Sequence, residues 1–67
     1  MEPMKAHEAR RKLEREGWQV ARSTGHITFT HPGKPGAVIV VPQGRKVLSP
    51  GVMREIARTA GWKWPPR

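Results

Sequence analysis

His26-Ile27-Thr28-Phe29-Thr30-His31-Pro32-Gly33-Lys34-Pro35-Gly36-Ala37-Val38-Ile39-Val40-Val41-Pro42 is the stretch whose reading decides the fold. Its first five residues alternate apolar and polar, so Ile27 and Phe29 point one way and His26, Thr28 and Thr30 the other, as the two-residue period of a half-buried strand demands. The next six hold two prolines and two glycines and cannot form a regular element. Beyond them, Ala37 to Val41 is a second β-branched run, and Pro42, without an N–H, ends its pairing. The pattern predicts a β-hairpin joined by a six-residue loop, with His26 on the exposed face.

Working towards the N-terminus, Ser23-Thr24-Gly25 reads as a turn. Before it, Trp18 to Arg22 reads as a strand in which Trp18 and Val20 share a face, so three antiparallel strands are expected. Gly17 stands where a glycine with positive φ closes a helix, and Met4 to Glu16 are mostly good helix formers with Met4, Ala6, Ala9 and Leu13 as a narrow apolar stripe. Glu8 with Lys12 and Arg10 with Glu14 are spaced as i,i+4 ion pairs on a solvated face. His7 on this helix and His31 at the head of the Pro/Gly loop are both expected to face solvent.

Towards the C-terminus, Gln43-Gly44-Arg45-Lys46 is a polar, basic loop leading to Val47-Leu48. Ser49-Pro50 then has the form of a helix start, with a hydroxyl to cap it and a proline at the first helical position. Val52, Met53, Ile56, Ala57 and Ala60 follow helical spacing, and Gly61 supplies the stop. Trp18 is expected to anchor the first helix to the sheet rather than to stack on a base. Trp62 and Trp64, in a tail ending Pro65-Pro66-Arg67, suit either a cap on the core or a contact with a partner.

The element order is α-β-β-β-α in an α+β fold, a three-stranded antiparallel sheet with both helices on one face, which is the arrangement of a double-stranded-RNA-binding domain. The chain has 67 residues, enough for one modest core, and it is read as one domain over 1–67 with its core at about 4–61 and a tail at 62–67. With no cysteine and no C-x-x-C or H-x-x-x-H spacing, neither disulfides nor a metal site is expected, and no cofactor is called for. No apolar run is long enough for a membrane span and no secretory leader is evident, so a soluble, cytoplasmic protein with no membrane partner is expected. Oligomeric state leaves no mark in the sequence.

Charge narrows the class of partner. Thirteen Lys and Arg against five Asp and Glu give +8. Residues 1–30 hold six basic and four acidic side chains (+2), and residues 31–67 hold seven and one (+6). A field of this kind attracts phosphate backbones, with an affinity that falls as salt rises, so a nucleic acid is expected to face the second half. A merely solubilising surface is the plain alternative.

Four places in this order carry a resemblance to a known family: Glu16-Gly17-Trp18 at the end of the first helix, the Arg22-to-His26 segment with Gly25-His26, the strand Val38-Ile39-Val40-Val41-Pro42, and Leu48-Ser49-Pro50-Gly51 leading to Ile56 and Ala60-Gly61. Over about residues 4–61 the chain resembles the HicA toxins of bacteria, small messenger-RNA endonucleases held inactive by a HicB antitoxin. The family's usual Gly-Ser-His reads Thr24-Gly25-His26 here, and Gln43 stands where a second histidine is often found.

The resemblance implies a metal-independent endoribonuclease, with messenger RNA and a HicB-like antitoxin as partners and His26 as the catalytic residue. A neutral histidine near pH 7 can take the proton of a ribose 2′-hydroxyl or protonate the leaving 5′-oxygen. Gly25 would let a phosphate approach the backbone, Thr24 and Thr28 offer hydroxyls, and Arg22, Arg45 and Lys46 offer charge to the scissile phosphate. A non-catalytic RNA-binding module with the same fold and charge is the alternative.

Overall fold

The computed structural model describes residues 4–62. Its elements run α1 (Ala6–Arg15), β1 (Gln19–Thr24), β2 (His26–Thr30), β3 (Val38–Pro42) and α2 (Pro50–Ala60). The strands form one antiparallel sheet in the order β1-β2-β3. The expected α-β-β-β-α order and three-stranded sheet are therefore found.

Helix α1 is shorter than the sequence suggests. Met4 and Lys5 are drawn into pairing with residues 46–48: the Leu48 N–H donates to the Met4 carbonyl at 2.9 Å, and the Ala6 N–H to the Lys46 carbonyl at 2.7 Å. Lys5 then becomes the residue before the helix, where its N–H donates to the Glu8 carboxylate at 2.9 Å. Glu8 is thus spent on the helix start, which answers an otherwise orphaned backbone donor. At the other end Gly17 has φ +96°, with Gly17 N–H bonded to the Glu14 carbonyl and Trp18 N–H to the Leu13 carbonyl, a Schellman closure. Helix α2 follows its caps: the Ser49 hydroxyl accepts from the Val52 N–H at 3.3 Å, and Gly61 is left-handed while Trp62 N–H returns to the Ala57 carbonyl.

The core lies between the helices and one face of the sheet. Ala6, Ala9 and Leu13 of α1 and Met53, Ile56, Ala57 and Ala60 of α2 are buried with Phe29, Ile39, Val41, Leu48 and Trp18. Phe29, Leu13, Met53 and Val41 are the largest side chains wholly withdrawn from water, each worth about 1.5–3 kcal/mol of transfer free energy. Both helices lie against β3, and β1 is exposed along its length. Trp18 is buried just ahead of β1 rather than within it, and Val20, read as sharing a strand face with it, is half-exposed, since no helix covers that strand. Among the described residues no helix is long and apolar enough to cross a membrane.

Candidate functional site

The face of the sheet turned away from the helices carries the polar half of the alternation in β2, namely His26, Thr28 and Thr30. Opposite them on β3 stand Pro42, Val40 and Val38 in unbroken register. Directly opposed residues of an antiparallel pair project to the same side, with Cβ atoms about 4.5–5.5 Å apart. His26, the first residue of β2, therefore sits beside Pro42.

On β1 the alternation is interrupted. Gln19 opposes Thr30 and Val20 opposes Phe29, but the next pair is Arg22 with Thr28, so Ala21 is the extra residue of a bulge. A bulge advances the strand by one and inverts the parity of everything after it. Counted from Val20 by simple alternation, Arg22 would point to the helix side. The bulge turns it to the open face, where Arg22 and Thr24 flank Thr28 and His26.

Ser23 and Thr24 belong to β1 rather than to a turn, because Thr24 pairs with His26 and only Gly25 lies between them. Gly25 has φ +82°, a conformation that disfavours any side chain, and nothing lies within 4 Å of where a Cβ would stand. The backbone at this corner is open to approach. The His26 side chain is exposed, and its ring makes no hydrogen bond with any described residue.

Of the seven residues singled out from the sequence, five come together at this corner: Arg22, Thr24, Gly25, His26 and Thr28. Arg45 and Lys46 are exposed on the loop that leaves β3. That loop starts beside the corner, where the Gln43 side-chain amide donates to the Ser23 hydroxyl at 3.1 Å, and it ends with the Lys46 carbonyl held by the start of α1. No described contact links the Arg45 or Lys46 side chain to His26.

Arg10 was legible only as a solvated helix residue paired with Glu14. Its guanidinium instead donates to the Pro42 carbonyl at 2.8 Å, at the β3 residue opposite His26. Thirty-two positions separate the two residues, and no local pattern could have joined them. The other expected pair is absent as well: Lys12 lies 3.8 Å from Glu16 rather than on Glu8.

The remaining histidines are not simply solvent-facing. His31 is half-buried, with its ring edge-on to Trp18 at 5.2 Å between centroids. Its Nδ1 accepts the Gly33 N–H at 2.9 Å, so the ring hydrogen is on Nε2 and is donated to the Glu16 carbonyl, also at 2.9 Å. His7 is partly buried on α1, and its Nδ1 is shielded from water with no described partner. Trp62 closes the same end of the molecule as His31: its indole N–H donates to the Glu16 carboxylate at 2.6 Å, and the Lys12 ammonium lies 5.1 Å from its ring centroid. Trp64 lies outside the described residues.

Comparison with known proteins gives the chain its place. No curated protein matches it at a significant level. The family model for the HicA toxin of bacterial toxin–antitoxin systems matches residues 6–62, from the first residue of α1 to the tryptophan after α2. The match spans every element described above, and the chain belongs to the HicA family of toxins.

Proposed function

We infer that this toxin is a metal-independent endoribonuclease of messenger RNA, with His26 as its catalytic residue and a HicB-like antitoxin as the protein that silences it in the cytoplasm. The observation that carries this reading is the condition of His26: an exposed imidazole with no described hydrogen-bond partner, on an open face beside Arg22, Thr24 and Thr28. A histidine with no structural duty in a strand this polar is available for chemistry.

In the reaction the 2′-hydroxyl attacks the adjacent phosphorus, forming the O2′–P bond as the P–O5′ bond breaks. One fragment ends in a 2′,3′-cyclic phosphate and the other in a 5′-hydroxyl. His26 carries one of the two proton transfers, removing the 2′ proton or supplying one to the departing 5′-oxygen, and water carries the other. Arg22 offsets the charge that develops on the phosphoryl oxygens, and the Thr24 and Thr28 hydroxyls hold those oxygens in place. Gly25 leaves room for the backbone of the RNA. Arg45 and Lys46 bind flanking phosphates, a contact that adds affinity without selecting the cleavage site.

Induced expression in a bacterium that lacks the cognate antitoxin tests the reading. Wild type is expected to arrest growth, and His26→Ala to leave it unaffected at equal soluble protein level. Equal arrest by both would remove His26 from the mechanism.

A further inference from the structure

The two edges of the sheet are built differently. The β1 edge carries Gln19, Arg22 and Thr24 and is broken by the Ala21 bulge, features that keep another strand from pairing with it. The β3 edge has none of them. Val38-Ile39-Val40-Val41-Pro42 is uncharged, runs without a bulge, and has no further strand beside it among the described residues. Val38 and Val40 are 52% and 49% exposed.

Alongside this edge, between β3 and α2, runs an open groove of about 560 Å³. The β3 edge at residues 38–40 forms one wall and Val52 and Ile56 of α2 the other, with Ser49 and Thr59 from the two ends of α2. Its one acid, Glu55, is held by Arg58 at 3.1 Å. Cations lie on the elements that flank it: Arg54 is exposed on α2, Lys34 reaches the Ala60 carbonyl at 3.5 Å near the end of that helix, and Arg45-Lys46 precede Ser49 in the chain.

We propose that the outer edge of β3, with the groove beneath it, is the docking site for an extended strand of an acidic partner protein, in which apolar residues alternate with Asp or Glu. Main-chain hydrogen bonds to β3 supply the affinity of such an added strand, and alternate side chains supply the selectivity. Apolar side chains on one side fill the groove over Val52 and Ile56. Acidic ones on the other side and at the ends meet the flanking cations of a protein that carries +8. A second copy of this chain fits less well. It brings the same charge, and the inward side chains of its own β3, Ile39 and Val41, are already committed to its own core and cannot fill the groove. The proposal concerns a surface and stands apart from the chemistry assigned to His26.

The test is an NMR titration of the full chain with a synthetic capped peptide alternating Val or Ile with Glu, against the same composition scrambled around a central proline. The alternating peptide is expected to slow amide exchange in residues 38–41 and to shift signals there and on the groove side of α2. Val38→Glu is expected to weaken it at least about tenfold, whereas Gln19→Glu, the same change of charge on the other edge, alters it less than about twofold. Circular dichroism establishes that both variants fold; should Val38→Glu fail to, the footprint of the peptide on wild type decides. Absence of binding, a footprint on β1, a footprint that leaves residues 38–41 untouched, or equal response to both variants overturns the proposal. So does a peptide-free dimer that protects the β3 amides, which would give the edge to a second copy.

Discussion

Strand β2 begins at one histidine and is followed by another, and the two ends of the strand teach opposite lessons about them. At the first end His26 is exposed next to a glycine with open space around it, and no described group uses either ring nitrogen. At the other end His31 has both nitrogens occupied by backbone, one by the Gly33 N–H and one by the Glu16 carbonyl, and its ring is packed against Trp18. The same side chain serves as a rivet where its hydrogen-bonding capacity is consumed and is left free for the proposed chemistry where it is not. Polar groups at the His31 end bind the close of α1 to the strands, while those at the His26 end face outward.

The comparison can be broken from the structural side first. His31→Ala removes the ring contact with Trp18 and leaves two backbone groups without their partner, and is expected to cost about 2–3 kcal/mol. Denaturant unfolding measures it, and cleavage per folded molecule should stay near wild type. Gly17→Ala strikes the same joint from the helix: the residue has φ +96°, and an added Cβ would stand 2.9 Å from His31 Nε2. A loss of about 1–2 kcal/mol is expected, and in combination with His31→Ala the losses should be less than additive, because the close contact is then gone. Additive losses would show that the glycine matters for its backbone alone.

At the His26 end the expected effects on stability are smaller. Arg10→Met removes the hydrogen bond to the Pro42 carbonyl while retaining most of the stem, and should cost about 1 kcal/mol by the same unfolding measurement. Arg22→Ala should leave stability within about 0.5 kcal/mol of wild type. Its effect is on RNA affinity measured against salt, where the slope of log K against log salt is expected to fall by about 1. An unchanged slope would mean that the bulge does not turn Arg22 towards the RNA.

The sequence was most informative where structure depends on neighbours along the chain. Ser49-Pro50, Gly17 and Gly61 mark helix ends through local backbone chemistry, and the alternation from His26 to Thr30 sorts its side chains without reference to anything distant. It was silent where a partner arrives from far away. Glu16 reaches His31 across 15 positions and Arg10 reaches Pro42 across 32, and neither contact leaves a periodic trace. Alternation also misleads wherever a bulge intervenes. Ala21 is an ordinary strand residue in the sequence, yet its insertion decides which way Arg22 points, so the candidate site is gathered by a feature that pattern reading treats as noise. Val20 was read as sharing a strand face with Trp18; it is half-exposed because the helices cover β3 and stop short of β1.

The most direct test of the account is digestion of a messenger RNA by purified wild type and His26→Ala, with a chelator present and the fragment ends identified. The account predicts that wild type leaves 2′,3′-cyclic phosphate or 3′-phosphate ends opposite 5′-hydroxyls, and that His26→Ala binds the RNA with similar affinity and cuts it at least about a hundredfold more slowly. Binding without cleavage by either protein, or equal cleavage by both, would contradict it.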